Sequence, residues 1–170
     1  MHRPSFSVMG STSDGSLRTT NVSVAVVKST SYDVKRGGAK TFMLATDDSP
    51  AARVAFALLV TKLATPATND AIKIFTAVGG ERGEDIVAKY AAECARLGFA
   101  KCETRAECHE KRVEAGESVS DAILKAARAW EADALLLGTN AFSSKTLGSV
   151  SDGCAQEARC TTIVVKDPRV

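Results

Sequence analysis

Two stretches of the chain carry residue types whose spacing suits chemistry. "TFMLATDDS" brings Asp47 and Asp48 to the end of an apolar run, where two carboxylates are the hard oxygen ligands that Mg²⁺ takes, if an irregular turn lets adjacent residues converge. "ALLLGTNAFSSKTLGSVSDG" (134–153) places Gly138 after a second apolar run, then a polar loop, then Gly148-Ser149-Val150-Ser151. Glycines let backbone approach a ligand, and a helix starting at Gly148-Ser149 would point free N–H groups and its positive dipole end at an anion. Ser149 and Ser151 add hydroxyl donors, and Lys145 adds a positive charge. The plain alternative is a glycine turn with Ser149 as the next helix's N-cap.

Other chemistries find less support. The chain has no G-x-x-x-x-G-K-[ST] loop and no G-x-S-x-G elbow, and "SSK" and "DDS" lack the partners a nucleophile needs. The five cysteines, Cys94, Cys102, Cys108, Cys154 and Cys160, show no C-x-x-C pair, and His2 and His109 lie far apart, which argues against a metal site. Buried, reduced thiols are the simplest reading, with Cys160 beside Arg159 the one candidate for activation.

The elements that must position these residues follow from periodicity. From Thr41 onward, short apolar runs alternate with segments of helical spacing. "TFMLAT", "AIKIFTAV", "DALLLG" and "TTIVVK" read as strands, and the charged "KCETRAEC" as an edge strand. The first helix opens with Ser49 as N-cap and Pro50 at its first position, and would bury Val54, Ala55, Leu58, Leu59 and Leu63. The next buries Ile86, Val87, Tyr90, Ala91, Cys94 and Leu97 and stops at Gly98. A third, capped by Ser118 or Ser120, buries Val119, Ala122, Ile123, Ala126, Ala127 and Trp130, and "SVSDGCAQEAR" forms a short last helix. This alternation predicts an α/β fold: an open five-stranded parallel sheet with helices on both faces. Ligands of such sheets bind beyond the carboxyl ends of the strands, where both chemical stretches end.

Residues 1–40 read differently. They are rich in Ser, Thr and Gly, with a basic linker "KSTSYDVKRGGAK" and one strand-like run, "NVSVAVVKS". A flexible N-terminal extension (1–40) preceding one domain (41–170) is expected.

Residues 41–166 resemble the universal stress protein family, through Asp47 in "LATDDS", the helix after "EAGESVSDAIL", and "LLLGTNAFSSKTLGSVS" followed by "TTIVVK". The resemblance implies a Rossmann-like, adenine nucleotide alpha hydrolase-like sheet with strand order 3-2-1-4-5, and a bound adenine nucleotide (ATP, ADP or AMP), with Mg²⁺ as an accompanying ion. It assigns Asp47 to the adenosine, and Val78 or its neighbour Ala77 to the base. It assigns Gly138, Ala141, Gly148, Ser149, Val150 and Ser151 to the phosphate loop. Ala141 stands where the family's Gly-x-x-Gly-(nine residues)-Gly-Ser/Thr motif has its second glycine, and six residues, "FSSKTL", replace the nine. The resemblance further implies a stress-response sensor or adaptor and not an enzyme. Its alternatives are a homodimer, paired through the last strand, that binds no nucleotide, and a weak Mg-dependent ATPase.

Composition bounds the partners. The 22 basic and 20 acidic residues give a net charge of +2 with no long run of one sign, so no nucleic-acid footprint is expected. No apolar run approaches the roughly 20 residues of a membrane span. A soluble cytoplasmic protein is expected.

Overall fold

The computed structural model describes residues 9–28, 38–107, 116–139 and 147–167. Five strands lie parallel: β2 (Thr41–Ala45), β3 (Ala71–Thr76), β4 (Lys101–Ala106), β5 (Ala134–Thr139) and β6 (Thr161–Lys166). Their order across the sheet, β6-β5-β2-β3-β4, is the expected 3-2-1-4-5 counted from Thr41. A sixth strand, β1 (Val24–Val26), extends the sheet antiparallel to β6, with Val24 opposite Val164 and Val26 opposite Thr162.

Helices cover both faces, so the central strands are apolar throughout instead of alternating with polar residues. Side chains of successive strand residues enter opposite layers. Met43, Leu135, Leu137 and Val164 meet α1 (Ser11–Thr19), α4 (Val119–Ala129) and α5 (Ser149–Glu157) through Leu17, Ile123 and Cys154. Leu44, Ile72, Ile74 and Leu136 meet α2 (Pro50–Leu58) and α3 (Gly80–Arg96) through Ala55, Phe56, Val87 and Tyr90. Fully burying one such leucine is worth about 1.5–3 kcal/mol. β4 is an edge strand, and its alternating charges are exposed there.

Local chemistry starts the helices where expected. The Ser49 hydroxyl accepts from the Ala52 N–H at 3.3 Å with Pro50 following, and Ser118 forms a capping box with Asp121. The buried stripe of α2 is displaced from the expected one, because Ala51, Ala52, Ala55, Phe56 and Leu59 face the core. Two alanines at its start allow close approach to the sheet. A single π-helical turn over Leu59–Leu63 then rotates Leu63 into solvent.

Residues 11–26 correct the expectation of a flexible extension. Leu17 is fully buried, Arg18 pairs with Asp152 of α5 at 2.7 Å, and the Lys166 ammonium donates to the carbonyls of Leu17, at 2.8 Å, and Thr20. Lys166 thus satisfies carbonyls at the end of α1 that no helical N–H reaches. The expectation of two chains joined through β6 meets a physical obstacle in this structure, because β1 already occupies the outer edge of β6 with its own backbone hydrogen bonds.

Candidate functional site

The same device ends β2 and β3. Beyond β2, the Thr46 hydroxyl accepts from the Asp48 N–H at 3.1 Å, and beyond β3 the Thr76 hydroxyl accepts from the Val78 N–H at 3.2 Å. Asp47 then accepts from the Ser49 N–H at 3.0 Å, which turns the chain into α2. These bends open a cavity of about 170 Å³ at the carboxyl ends of β2, β3 and β5. Ala45, Phe75, Ile123 and Leu137 give it apolar walls, and Asp47, Ala77, Val78, Gly138, Val150 and Ser151 all line it. An adjoining cavity of about 440 Å³ shares Val119 and Val150 with it and is lined by Ser118, Ser120 and Ser149 at the starts of α4 and α5. Ala141 and Lys145 lie outside the described residues.

The start of α5 changes one part of the plain turn reading, the N-cap residue. Gly148, not Ser149, is the N-cap, and no side chain caps the helix. The first backbone bond of the helix runs from the Asp152 N–H to the Gly148 carbonyl at 2.9 Å. The N–H groups of residues 149–151 therefore precede the helical ladder and suit an anion. Asp152 would oppose that anion, but Arg18 holds its carboxylate. Ser151 is 5% exposed, and its hydroxyl hydrogen-bonds to none of the described residues.

The two glycines have distinct roles. A Cβ on Gly138 would sit 2.3 Å from the Ala51 carbonyl carbon, so this glycine is required by the close approach of α2 more than by a ligand. Gly148 has open space around it and φ −60°. Gly83, which the sequence reading passed over, is required by a close backbone approach of the same kind. Its missing Cβ makes room for the Val78 carbonyl, which a side chain would meet at 1.9 Å, so α3 sets the backbone of a cavity-lining residue.

Asp48 parts company with Asp47. It adopts φ +61°, and its carboxylate turns away to Arg53, bidentate at 3.0–3.1 Å, to Lys89 at 2.9 Å and to the Tyr90 hydroxyl at 2.9 Å. Burial opposes its ionisation, but hydrogen bonds from Arg53, Lys89 and Tyr90 prevail and hold its pKa at about 2. Burial, reinforced by Asp48, pushes Tyr90 up to about 12. The two aspartates do not converge as a Mg²⁺ pair, and no cluster of three or more metal-ligating side chains occurs among the described residues. Cys160 is buried, and that burial raises its pKa, so Arg159 does not activate it.

The profile of the universal stress protein family matches residues 38–166. The chain belongs to the universal stress protein family. Among solved structures, this universal stress protein is similar to one in complex with cAMP, with a TM-score of 0.60 and 21% identity over 76% of this chain and 98% of that one. A protein of the family from Burkholderia pseudomallei gives 0.57 and 20%, over 76% and 96% of the two chains. A universal stress protein from Archaeoglobus fulgidus DSM 4304 gives 0.68 and 19%, over 96% of this chain and 59% of that one. At these identities the likeness establishes the fold. No curated protein matches the chain. No helix among the described residues is long and apolar enough to cross a membrane.

Proposed function

We propose that this universal stress protein binds an adenine nucleotide in the cavity beyond β2, β3 and β5, and acts as a stress-response sensor or adaptor whose output is nucleotide occupancy. The observation that carries the reading is Ser151. Its hydroxyl bonds to none of the described residues and opens onto a cavity shared with Asp47 and the N-terminal end of α5, where it can donate to a ligand oxygen. The apolar walls suit a purine, Asp47 suits ribose or adenine donors, and the adjoining space at the helix starts suits phosphate. Together the two cavities fall in the usual range of about 300–1,000 Å³ for small-molecule sites. One solved neighbour holds cAMP, which is consistent with this ligand class.

The role is binding and not turnover. Asp48, the second acid that an Mg-dependent ATPase would draw on, is committed to Arg53 and Lys89.

Calorimetric titration of the purified chain with ATP, ADP, AMP and cAMP tests the reading. At least one should bind, and Asp47→Ala and Ser151→Ala should each weaken it about tenfold, near 1.4 kcal/mol. No binding by wild-type protein, or equal binding by all three proteins, overturns the site.

A further inference from the structure

We infer that Cys94 of α3 and Cys102 of β4 form a redox-responsive dithiol, a modification site at the open edge of the sheet that closes to a disulfide on exposure to a hydroperoxide. The geometry begins with the end of α3. There the Phe99 N–H donates to the Cys94 carbonyl and the Gly98 N–H to the Ala95 carbonyl, both at 3.0 Å, with Gly98 at φ +83°. This Schellman closure reverses the chain within four residues of Cys94, and β4 runs back under the helix it has just left. Cys102 lies on the face of β4 that packs against the cluster containing Cys94, next to Ile72 of β3. Because no described strand lies on the far side of β4, the Cys102 thiol is partly exposed, whereas Cys94, Cys154 and Cys160 are buried.

The two thiols are set for unequal roles. Interaction with the Cys94 thiol, helped by the Lys73 ammonium on the neighbouring strand, lowers the pKa of Cys102 against the cost of its burial. The same interaction and burial raise that of Cys94. A partly exposed thiol of lowered pKa beside a second, buried thiol is the arrangement found in peroxide-reactive sites. The Cys102 thiolate sulfur attacks one peroxide oxygen, the O–O bond breaks, and the leaving alkoxide or hydroxide takes up a proton, giving Cys102 sulfenic acid. The Cys94 sulfur then attacks the Cys102 sulfur. The S–S bond forms, the S–O bond breaks, and the departing hydroxide leaves as water with the Cys94 proton. Two thiols are oxidised by two electrons, and the peroxide is reduced to an alcohol, or to water, with one further water.

The test uses the full chain and hydrogen peroxide. After oxidation, denaturation and alkylation, two of the five thiols should be lost. Tryptic mapping should show peptide 90–96 joined to peptide 102–105, and dithiothreitol should reverse the link. With Cys94→Ala, Cys102 should stop at sulfenic acid and react with dimedone. With Cys102→Ser, no disulfide to Cys94 should form. An unchanged thiol count, or a link made instead by Cys108, Cys154 or Cys160, overturns the inference. Mapping of wild-type protein decides the matter even if a variant fails to fold.

Discussion

Tyr90, from the middle of α3, donates its phenolic proton to the Asp48 carboxylate at 2.9 Å and accepts a proton from the Thr46 hydroxyl at 3.4 Å. One residue on a helix thus holds both ends of the bend that presents Asp47 to the cavity. Lys89 and Arg53 complete the hold on Asp48 from α3 and α2.

Asp48→Asn keeps a residue tolerant of left-handed backbone and removes the charge. It should lower stability at pH 7 by about 1 kcal/mol, because Arg53 and Lys89 are more than half exposed and solvent screens both pairs. That corresponds to roughly 2–4 °C in melting temperature for a chain of this size.

The same variant has a pH dependence of known sign. The folded pKa of Asp48, about 2, lies below its ordinary 3.8, so its charge contributes fully above about pH 4 and is lost as pH falls towards 2. The stability gap between wild type and Asp48→Asn should narrow across that window. A gap unchanged from pH 5 to pH 2 in chemical denaturation would contradict the hold on Asp48.

Gly138→Ala and Gly148→Ala should separate cleanly. The first forces a methyl into the backbone of Ala51 and Ala52 and should cost about 1–3 kcal/mol or more. The second meets open space and should cost less than about 1 kcal/mol as a poorer N-cap. Denaturant midpoints compare them.

Lys166→Met leaves the carbonyls at the end of α1 without their ammonium. Limited proteolysis should then cut within residues 11–26 faster than in wild type, with cleavage within β2 to β6 unchanged. Equal rates would show that Leu17 and the Arg18–Asp152 pair hold the segment without it.

Deleting residues 1–28 bares the β6 edge, a ready template for another strand. Sedimentation should show association of the truncated chain in excess of the full one.

The alternation of strands and helices was legible in the sequence because each element carries its own period and its own punctuation, such as Ser49-Pro50 or Gly98. So was the meeting of Asp47, Val78, Gly138 and Ser151, which follows once the strand order is known. Within the first forty residues the strand-like run was legible, but its place in the sheet and the helix before it were not. β1 is three residues long, and its partner lies at the other end of the chain, where no local pattern records the pairing. The burial of Lys166 has no local signature either, because its receptors are carbonyls of a distant helix. The sequence offered Asp48 only conditionally as a Mg²⁺ ligand beside Asp47, and the partners of Asp48 were equally hidden. Its partner Arg53 is five residues on, off the helical repeat, and Lys89 and Tyr90 come from another element.

The pairing of β1 with β6 also sets an order of events at the ribosome. Lys166 donates its N–H to the Ser23 hydroxyl across 143 residues of sequence, so β1 has no partner until β6 has been made. Loop closure over such a span is slow compared with the nearer β2–β3 and β3–β4 pairings. α1 and β1 are therefore synthesised first and seated last. Until the final strand arrives, the nascent chain carries Leu17 as a hydrophobic residue in need of shelter.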